Sequence, residues 1–391
     1  MGELPLRSRR LHLAAVVGAL APLDVVLVGP ALPAVAEAFG VSSGRAGLVI
    51  TAYAVPGIVA APLVGRLADR VGRRPVVVVS TLLFGVFGVA VAAVPTDAFL
   101  VVLGLRTAQG AVGGSILASL ALTLAGDYFD GPTRNAAVGY VSAAITVSVA
   151  VLPAVGGALA AVSWRAVFLA YGASVVVAAV AAVALPEPAA AEGGDLPALS
   201  EFREAVALDR ALGVYGLGFV GYALFFGGLL TATPFLLSGE FGLTSGRVGA
   251  LLTGASLVGA VVALGNGRLA RSRTSVGLLL LSFPAYGVGL ALAGGGPALP
   301  TLAAGLVVFS VGHGLLQPSF AAAVAELGPP RARGALMSLR TCVILAAQAV
   351  GPLAFTTPAR FVGGTRVLLA VGAALALAVA GAGWTTRRAR A

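Results

Sequence analysis

Lysine is missing altogether: all 25 basic residues among the 391 are arginine, a compositional bias from which no mechanism follows. A single cysteine, Cys342, excludes an internal disulfide, and the two histidines fall into no metal-ligand spacing. Without lysine there can be no G-x-x-x-x-G-K-[ST] phosphate loop, so ATP cannot drive the protein by that route, and no other motif speaks for an enzyme. Charge is scarce as well. Charged residues make up 10% of the chain, where soluble domains carry about 25%. The net charge of +10 would suit a nucleic-acid partner, but the arginines are scattered over many short loops and no basic domain gathers them.

What remains is apolar. Hydrophobic residues account for 59% of the chain and mean hydropathy is +1.01. No soluble core buries that much, so the natural solvent is lipid. The 54 glycines fit the same reading, because small residues let membrane helices approach closely. The start, MGELPLRSRR before an apolar run, superficially resembles a signal peptide. The run is too long for one and more follow, so it reads as a first span.

Stretches of about 20 apolar residues, the length that crosses a bilayer, occur twelve times. They are 12–36, 46–64, 75–94, 98–124, 135–159 and 164–185, then 211–237, 246–265, 274–294, 298–324, 334–357 and 363–384. An even number puts both termini on one side. Eighteen arginines fall on that side and five on the other, with Arg106 and Arg340 inside spans, so the positive-inside rule predicts cytoplasmic termini. The longest polar connection, 186–210, separates an N-terminal six-helix bundle (1–185) from a C-terminal one (211–391). It reads as a solvated linker in which LPALSEFREAVALDR can form a surface amphipathic helix.

The two halves repeat. FGVSSGR (39–45) returns as FGLTSGR (241–247) and GRLA (65–68) as GRLA (267–270), both 202 residues on, and Thr51 matches Thr253 at the same offset. RNAA (134–137) faces RGAL (333–336), and Pro153 faces Pro352, 199 apart. Parallel copies of this kind are expected of transporters whose two bundles rock about a central site.

Residues 65–76, GRLADRVGRRPV, resemble the signature loop G-x-L-a-D-r-x-G-r-k-x of the major facilitator superfamily, and RTAQGAVGG (106–114) resembles its fourth-span arginine motif. The opening, DVVLVGPALPAVAEAFGVSSGRAGLVITAYAV, is similar to that of proton-coupled drug exporters, the drug:proton antiporter branch. The resemblance covers essentially the whole chain. It implies an all-α membrane protein with twelve transmembrane helices in two pseudo-symmetric six-helix bundles. It also implies that Asp69 sits against the start of span eleven near Gly334, where a helix N-terminus favours a carboxylate, and that Arg73 pairs with Asp127. With Gly65, these residues form a conformational latch that closes one side. For Arg66, Arg70 and Arg74 the topology signal alone is a sufficient reading. The second copy, GRLARSRTSV, has Arg271 in place of Asp69, so a latch there must be weaker or different. Exporters of this superfamily carry G-x-x-x-G-P-x-x-G-G in span five. Here SVAVLPAVGG keeps Pro153, Gly156 and Gly157 but loses two glycines, which leaves the direction of transport open. Gly351 and Pro352 are the corresponding kink residues of span eleven.

Ionisable residues inside spans are functional candidates by default. Asp24 lies about 12 residues, roughly 18 Å, into span one, and Arg106 about eight residues, roughly 12 Å, into span four from the other face. In a core of about 30 Å the two are level. Desolvation favours a carboxyl's neutral form and a nearby guanidinium its charged form. Alternation between those settings would let Asp24 bind and release a proton, or handle a substrate cation; a static ion pair fixing spans one and four is the other reading. The resemblance associates the arginine motif with proton coupling. His313 is either a titrating group or a buried histidine bonded to a carbonyl. Gln109 and Gln317 are candidate polar cavity contacts, Arg340 can snorkel outward, and Tyr222, Phe225 and Phe226 either line an apolar pocket or simply pack.

Together these predict a secondary transporter in the cell membrane, powered by a proton gradient without cofactor or metal. It would be a monomer with a small-molecule substrate, the lipid bilayer as its surroundings and no nucleic-acid partner. Efflux of amphiphilic or cationic compounds is the leading expectation. A polar or anionic metabolite, with Arg106 and Arg340 as anion contacts, is the alternative within the class, and a non-transporting sensor or scaffold the alternative outside it.

Overall fold

Proline and glycine, more than the ends of the apolar runs, decide how the helices are built. The computed structural model describes residues 8–188, 210–329 and 333–388, and among the described residues every regular element is helical. Eleven helices are long and apolar enough to cross a membrane. Spans one to three are Arg9–Ala38, Ser43–Val71 and Arg73–Ala92, and spans five and six are Gly131–Val162 and Trp164–Ala184. Spans seven to twelve are Ala211–Phe241, Ser245–Leu269, Ser275–Gly295, Leu299–Ala325, Gly334–Thr356 and Thr365–Trp384.

The fourth crossing departs from the continuous stretch the sequence predicts. It is two shorter helices, Phe99–Gly110 and Gly114–Tyr128. Gly113 is extended (φ −96°, ψ −156°), and the Gly114 N–H, released from a helical partner, donates to the Tyr53 hydroxyl. The first crossing is likewise not one helix. Pro22, Pro30 and Pro33 lack the N–H that an α-helix needs, and the chain passes from Arg9–Leu20 through short 3₁₀ turns at Ala21–Asp24 and Gly29–Ala31 into Leu32–Ala38. The seventh relaxes into a π-helix over Leu224–Ala232, just before Pro234. Thr231 and Thr233 return their hydroxyls to the carbonyls of Phe226 and Gly228. Pro153 and Pro352, by contrast, are accommodated inside continuous helices.

The two sets of helices meet along three pairs: spans two and eleven, five and eight, and one and seven. At Gly157 and Gly249 the backbones of spans five and eight come so close that a Cβ on Gly157 would stand 2.9 Å from the Gly249 Cα. The repeat-related threonines serve the same purpose in both pairs. Thr51 donates to the Ala349 carbonyl of span eleven at 2.8 Å, and Thr253 accepts from the Ala154 N–H of span five at 2.8 Å. Both partners lie beside the prolines 153 and 352. Toward the end that carries residues 65–74 the pairs part. A Cβ on Gly65, Gly139, Gly265, Gly267 or Gly334 would meet nothing within 4 Å. The contacts named here between the two sets therefore lie at the end away from residues 65–74. Of the linker 186–210, residues 189–209 and with them most of the expected amphipathic helix lie outside the described residues.

Candidate functional site

The break in span one creates the site. With no α-helical continuation through residues 21–31, the carbonyls of Leu23 and Asp24 are free to accept from elsewhere. Leu23 takes the Tyr171 hydroxyl at 2.7 Å, and Asp24 takes the Arg106 guanidinium at 2.6 Å. Arg106 is completely buried. It also donates to the Val49 carbonyl (3.2 Å), Gln109 Oε1 (2.7 Å) and the Tyr171 hydroxyl (3.2 Å), and lies 4.5 Å from the Tyr53 ring centroid. A guanidinium with four of its five N–H groups placed in this way, its face toward the Tyr53 ring, can stand in the membrane interior.

Two expectations are corrected here. Arg106 holds the main-chain oxygen of Asp24, not its carboxylate, so the level pair is a neighbourhood and not a salt bridge. Gln109, expected as a cavity contact, is fully buried. Its oxygen holds Arg106, and its amide nitrogen donates to the Phe84 carbonyl at 2.8 Å, so both ends are used inside the N-terminal set.

The Asp24 carboxylate is left to other partners. Oδ1 accepts the Val25 N–H at 2.7 Å, and Oδ2 accepts from Gln348 Nε2 at 3.4 Å. Gln348 belongs to span eleven and is buried, so the mid-span acid touches the opposite bundle. The sequence reading missed Gln348. Its place, four residues before Pro352 and close to the Thr51 bridge, follows from the repeat but needs the helix pairing to be seen.

Where the N-terminal set has this polar cluster, the C-terminal set has rings. The His313 imidazole stacks on Phe225 with centroids 3.7 Å apart and planes 7° apart. Its Nδ1 lies 2.9 Å from the Tyr286 hydroxyl, and the Tyr222 ring meets it edge-on at 5.7 Å. Phe226 contacts both Phe225 and Tyr222. The π-helical stretch brings these residues together, and such irregular segments commonly mark working sites. His313 binds a tyrosine hydroxyl, not a carbonyl as the alternative reading had it. Phe225, His313 and the exposed Gln317 border a narrow cavity of about 30 Å³ against Thr146 and Ala150 of span five and Ser256 of span eight. Arg340 is half-buried. Its guanidinium lies 5.5 Å from the Phe320 ring centroid, and its buried Nε has no hydrogen-bond partner among the described residues.

The charged turn is knit entirely within the N-terminal set. Gly72 takes a left-handed φ of 106°, which a side chain would resist. Arg73 then bridges Asp69 (2.6 Å) and Asp127 (3.1 Å). Glu187, which the sequence reading assigned no role, caps the third helix by accepting the Arg73 and Arg74 N–H groups at 2.5 and 3.0 Å. Arg74, read as a topology signal, also donates to the Ala182 carbonyl. The expected contact of Asp69 with Gly334 is absent: the bundles part at this end, and nothing stands within 4 Å of a Cβ at Gly334. Pro153, Gly156 and Gly157 lie at the junctions with Leu27 and span eight, and Gly351 packs on the backbone of Ala223 and Gly227.

A sequence profile of the Major Facilitator Superfamily matches residues 14–352. An efflux pump of Dothistroma septosporum, dotC, is 34% identical over 147 residues, which are 37% of this chain and 25% of that protein. The matched region thus spans only about a quarter of that relative. Multidrug resistance protein 1 of Bacillus subtilis is 25% identical over 252 residues, 62% of each chain. Among solved structures, a bacterial homolog of the human lysosomal transporter Spinster, inward-facing and unoccupied, superposes with a TM-score of 0.81 at 17% identity, covering 99% of this chain and 98% of that one.

Proposed function

The chain belongs to the major facilitator superfamily and is an integral membrane transporter of small molecules, not an enzyme; from that premise we propose that it exports amphiphilic or cationic compounds by alternating access, in exchange for protons. The observation that carries this reading is the contact between Asp24 and Gln348, which ties the one acid at mid-span to the opposing bundle. A buried carboxylate can hold either a proton or a substrate cation, but not both, and that exclusivity is what exchange requires. Because the acid also bonds across the bundle line, its occupancy changes a contact that must break or remake when the bundles rock. The efflux and multidrug names of the relatives support the direction and the substrate class.

With the termini cytoplasmic, as the arginine distribution supports, the open end faces the cytoplasm. Latch residues Asp69 and Gly334 then meet only in the outward-open state, while the Arg73 bridge persists in both.

The decisive experiment adds a lipophilic cation to purified protein and records proton release. Release from wild type and none from Asp24→Asn is expected; equal release from both would remove Asp24 from the mechanism, and flux indifferent to pH would make the protein a facilitator. A second reading, transport of a polar or anionic metabolite, is favoured by the buried Arg340 Nε without a partner. It predicts that Arg340→Gln, and not Asp24→Asn, abolishes uptake of an organic anion.

A further inference from the structure

The repeat places an arginine at the start of spans two and eight, and the two are treated differently. In the first copy Arg45 lies 5.7 Å from the Phe99 ring centroid, and Phe99 packs on Phe39 at 5.5 Å, which packs on Trp164 at 4.9 Å. The crevice between spans two and four is filled with rings at that level. In the second copy Leu299 opens span ten where Phe99 opens span four. Phe241, the counterpart of Phe39, receives Arg366 instead. Arg247 is left exposed, with no ion-pair, hydrogen-bond or ring partner among the described residues.

Beneath Arg247 the missing rings leave a groove of about 510 Å³ between spans eight and ten. Its walls are aliphatic, with Leu251, Gly254, Leu299, Ala303 and Val307 among them, and Arg247 supplies the charge at its rim. Gly249 and Thr253, which meet span five, lie on the other face of the eighth helix. The groove therefore opens away from the N-terminal bundle, toward lipid. It runs from residue 247 to 255 on one helix and from 299 to 307 on the other. Eight residues of helix rise about 12 Å, most of the way through one leaflet of a core about 30 Å thick.

We propose that this groove is a phospholipid site: one acyl chain lies along spans eight and ten, and the lipid phosphate is held by the guanidinium of Arg247. Arginine's planar donor fork suits a phosphate, and an unpaired arginine at the end of a span sits at headgroup depth. With the orientation proposed above the lipid belongs to the outer leaflet; the site itself does not depend on what the protein transports.

The test is native mass spectrometry of the full-length protein in detergent, titrated with phosphatidylglycerol. Wild type is expected to retain one lipid, and Arg247→Gln to weaken retention roughly tenfold, the worth of one charge-assisted contact. A Cβ at Gly254 meets nothing within 4 Å, so Gly254→Phe fills the groove without disturbing the helices. It should displace the lipid while leaving the lipid-free melting temperature unchanged. Arg45→Gln should bind as wild type does. Equal retention by wild type, Arg247→Gln and Gly254→Phe would overturn the proposal, as would an Arg45→Gln loss matching that of Arg247→Gln. Diacylglycerol retained as well as phosphatidylglycerol would show that the phosphate is not read and would overturn it too.

Discussion

The two halves share a scaffold and divide the chemistry. Where the first half has Asp24, the second, 202 residues later, has Phe226. One sits in a polar cluster with Arg106, Tyr53 and Tyr171, the other in a stack of Phe225, His313 and Tyr222. The turns differ in the same way. Arg73 bridges to Asp127 in the first. At the corresponding places of the second, Ser275 donates to Glu326 at 2.6 Å, and Asp69 has become Arg271. The geometry of the contact survives while its charge on one partner is lost. Duplication thus preserves what closes and holds the bundles, and frees one copy to carry the charge and the other to carry the rings.

That asymmetry can be broken in order of cost. Arg106→Ala should be the most damaging change, because it strands the buried acceptors of Val49, Asp24 and Gln109. A loss of about 3–5 kcal/mol is expected, read as a large fall in melting temperature. Arg106→Lys should not rescue it, since one ammonium cannot reach the same four partners. His313→Phe, in the other half, should cost less, about 1–2 kcal/mol, because the ring stack on Phe225 is kept and only the buried Tyr286 hydroxyl loses its partner; a destabilisation equal to that of Arg106→Ala would erase the distinction between a polar and an aromatic core. Next come the threonine bridges. Thr51→Val and Thr253→Val each remove one inter-bundle hydrogen bond, worth about 1 kcal/mol. Each should shift the balance between the closed-end and open-end states by roughly fivefold, measurable as altered alkylation of Cys342, whose sulfur lies 3.5 Å from the Ile58 carbonyl near where the bundles part. Effects of the same size or smaller belong to the turns: Arg73→Gln should cost about 1 kcal/mol because it has two acid partners, and Ser275→Ala about 0.5 kcal/mol or less. Equal losses would mean the charge at the first turn is incidental.

Much of this was legible in the sequence because membrane helices are written in long apolar runs and the duplication is written in short recurring motifs. The Arg73–Asp127 contact was available from the resemblance alone. What escaped were the features that depend on broken helices and on pairing between distant ones. Pro22, Pro30 and Pro33 sit in an otherwise ordinary apolar run, so nothing in hydropathy shows that the Leu23 and Asp24 carbonyls would be turned toward Tyr171 and Arg106. Gln348 and Glu187 look like isolated polar residues until span eleven is laid on span two and the end of span six reaches the turn. Asp69 and Gly334 were placed together from the resemblance, and in the structure nothing stands within 4 Å of a Cβ at Gly334.

Alternating access itself is tested most directly by distance. Gly65 and Gly334 have open space where a side chain would stand. Spin labels there, with Cys342 first replaced by alanine, report the separation of spans two and eleven at the open end. Two distance populations are expected, the shorter one gaining as pH or a transported cation is changed, and Asp24→Asn holding the ratio fixed. A single distance, unmoved by pH, substrate or the Asp24 substitution, would contradict a pair of rocking bundles governed by that acid.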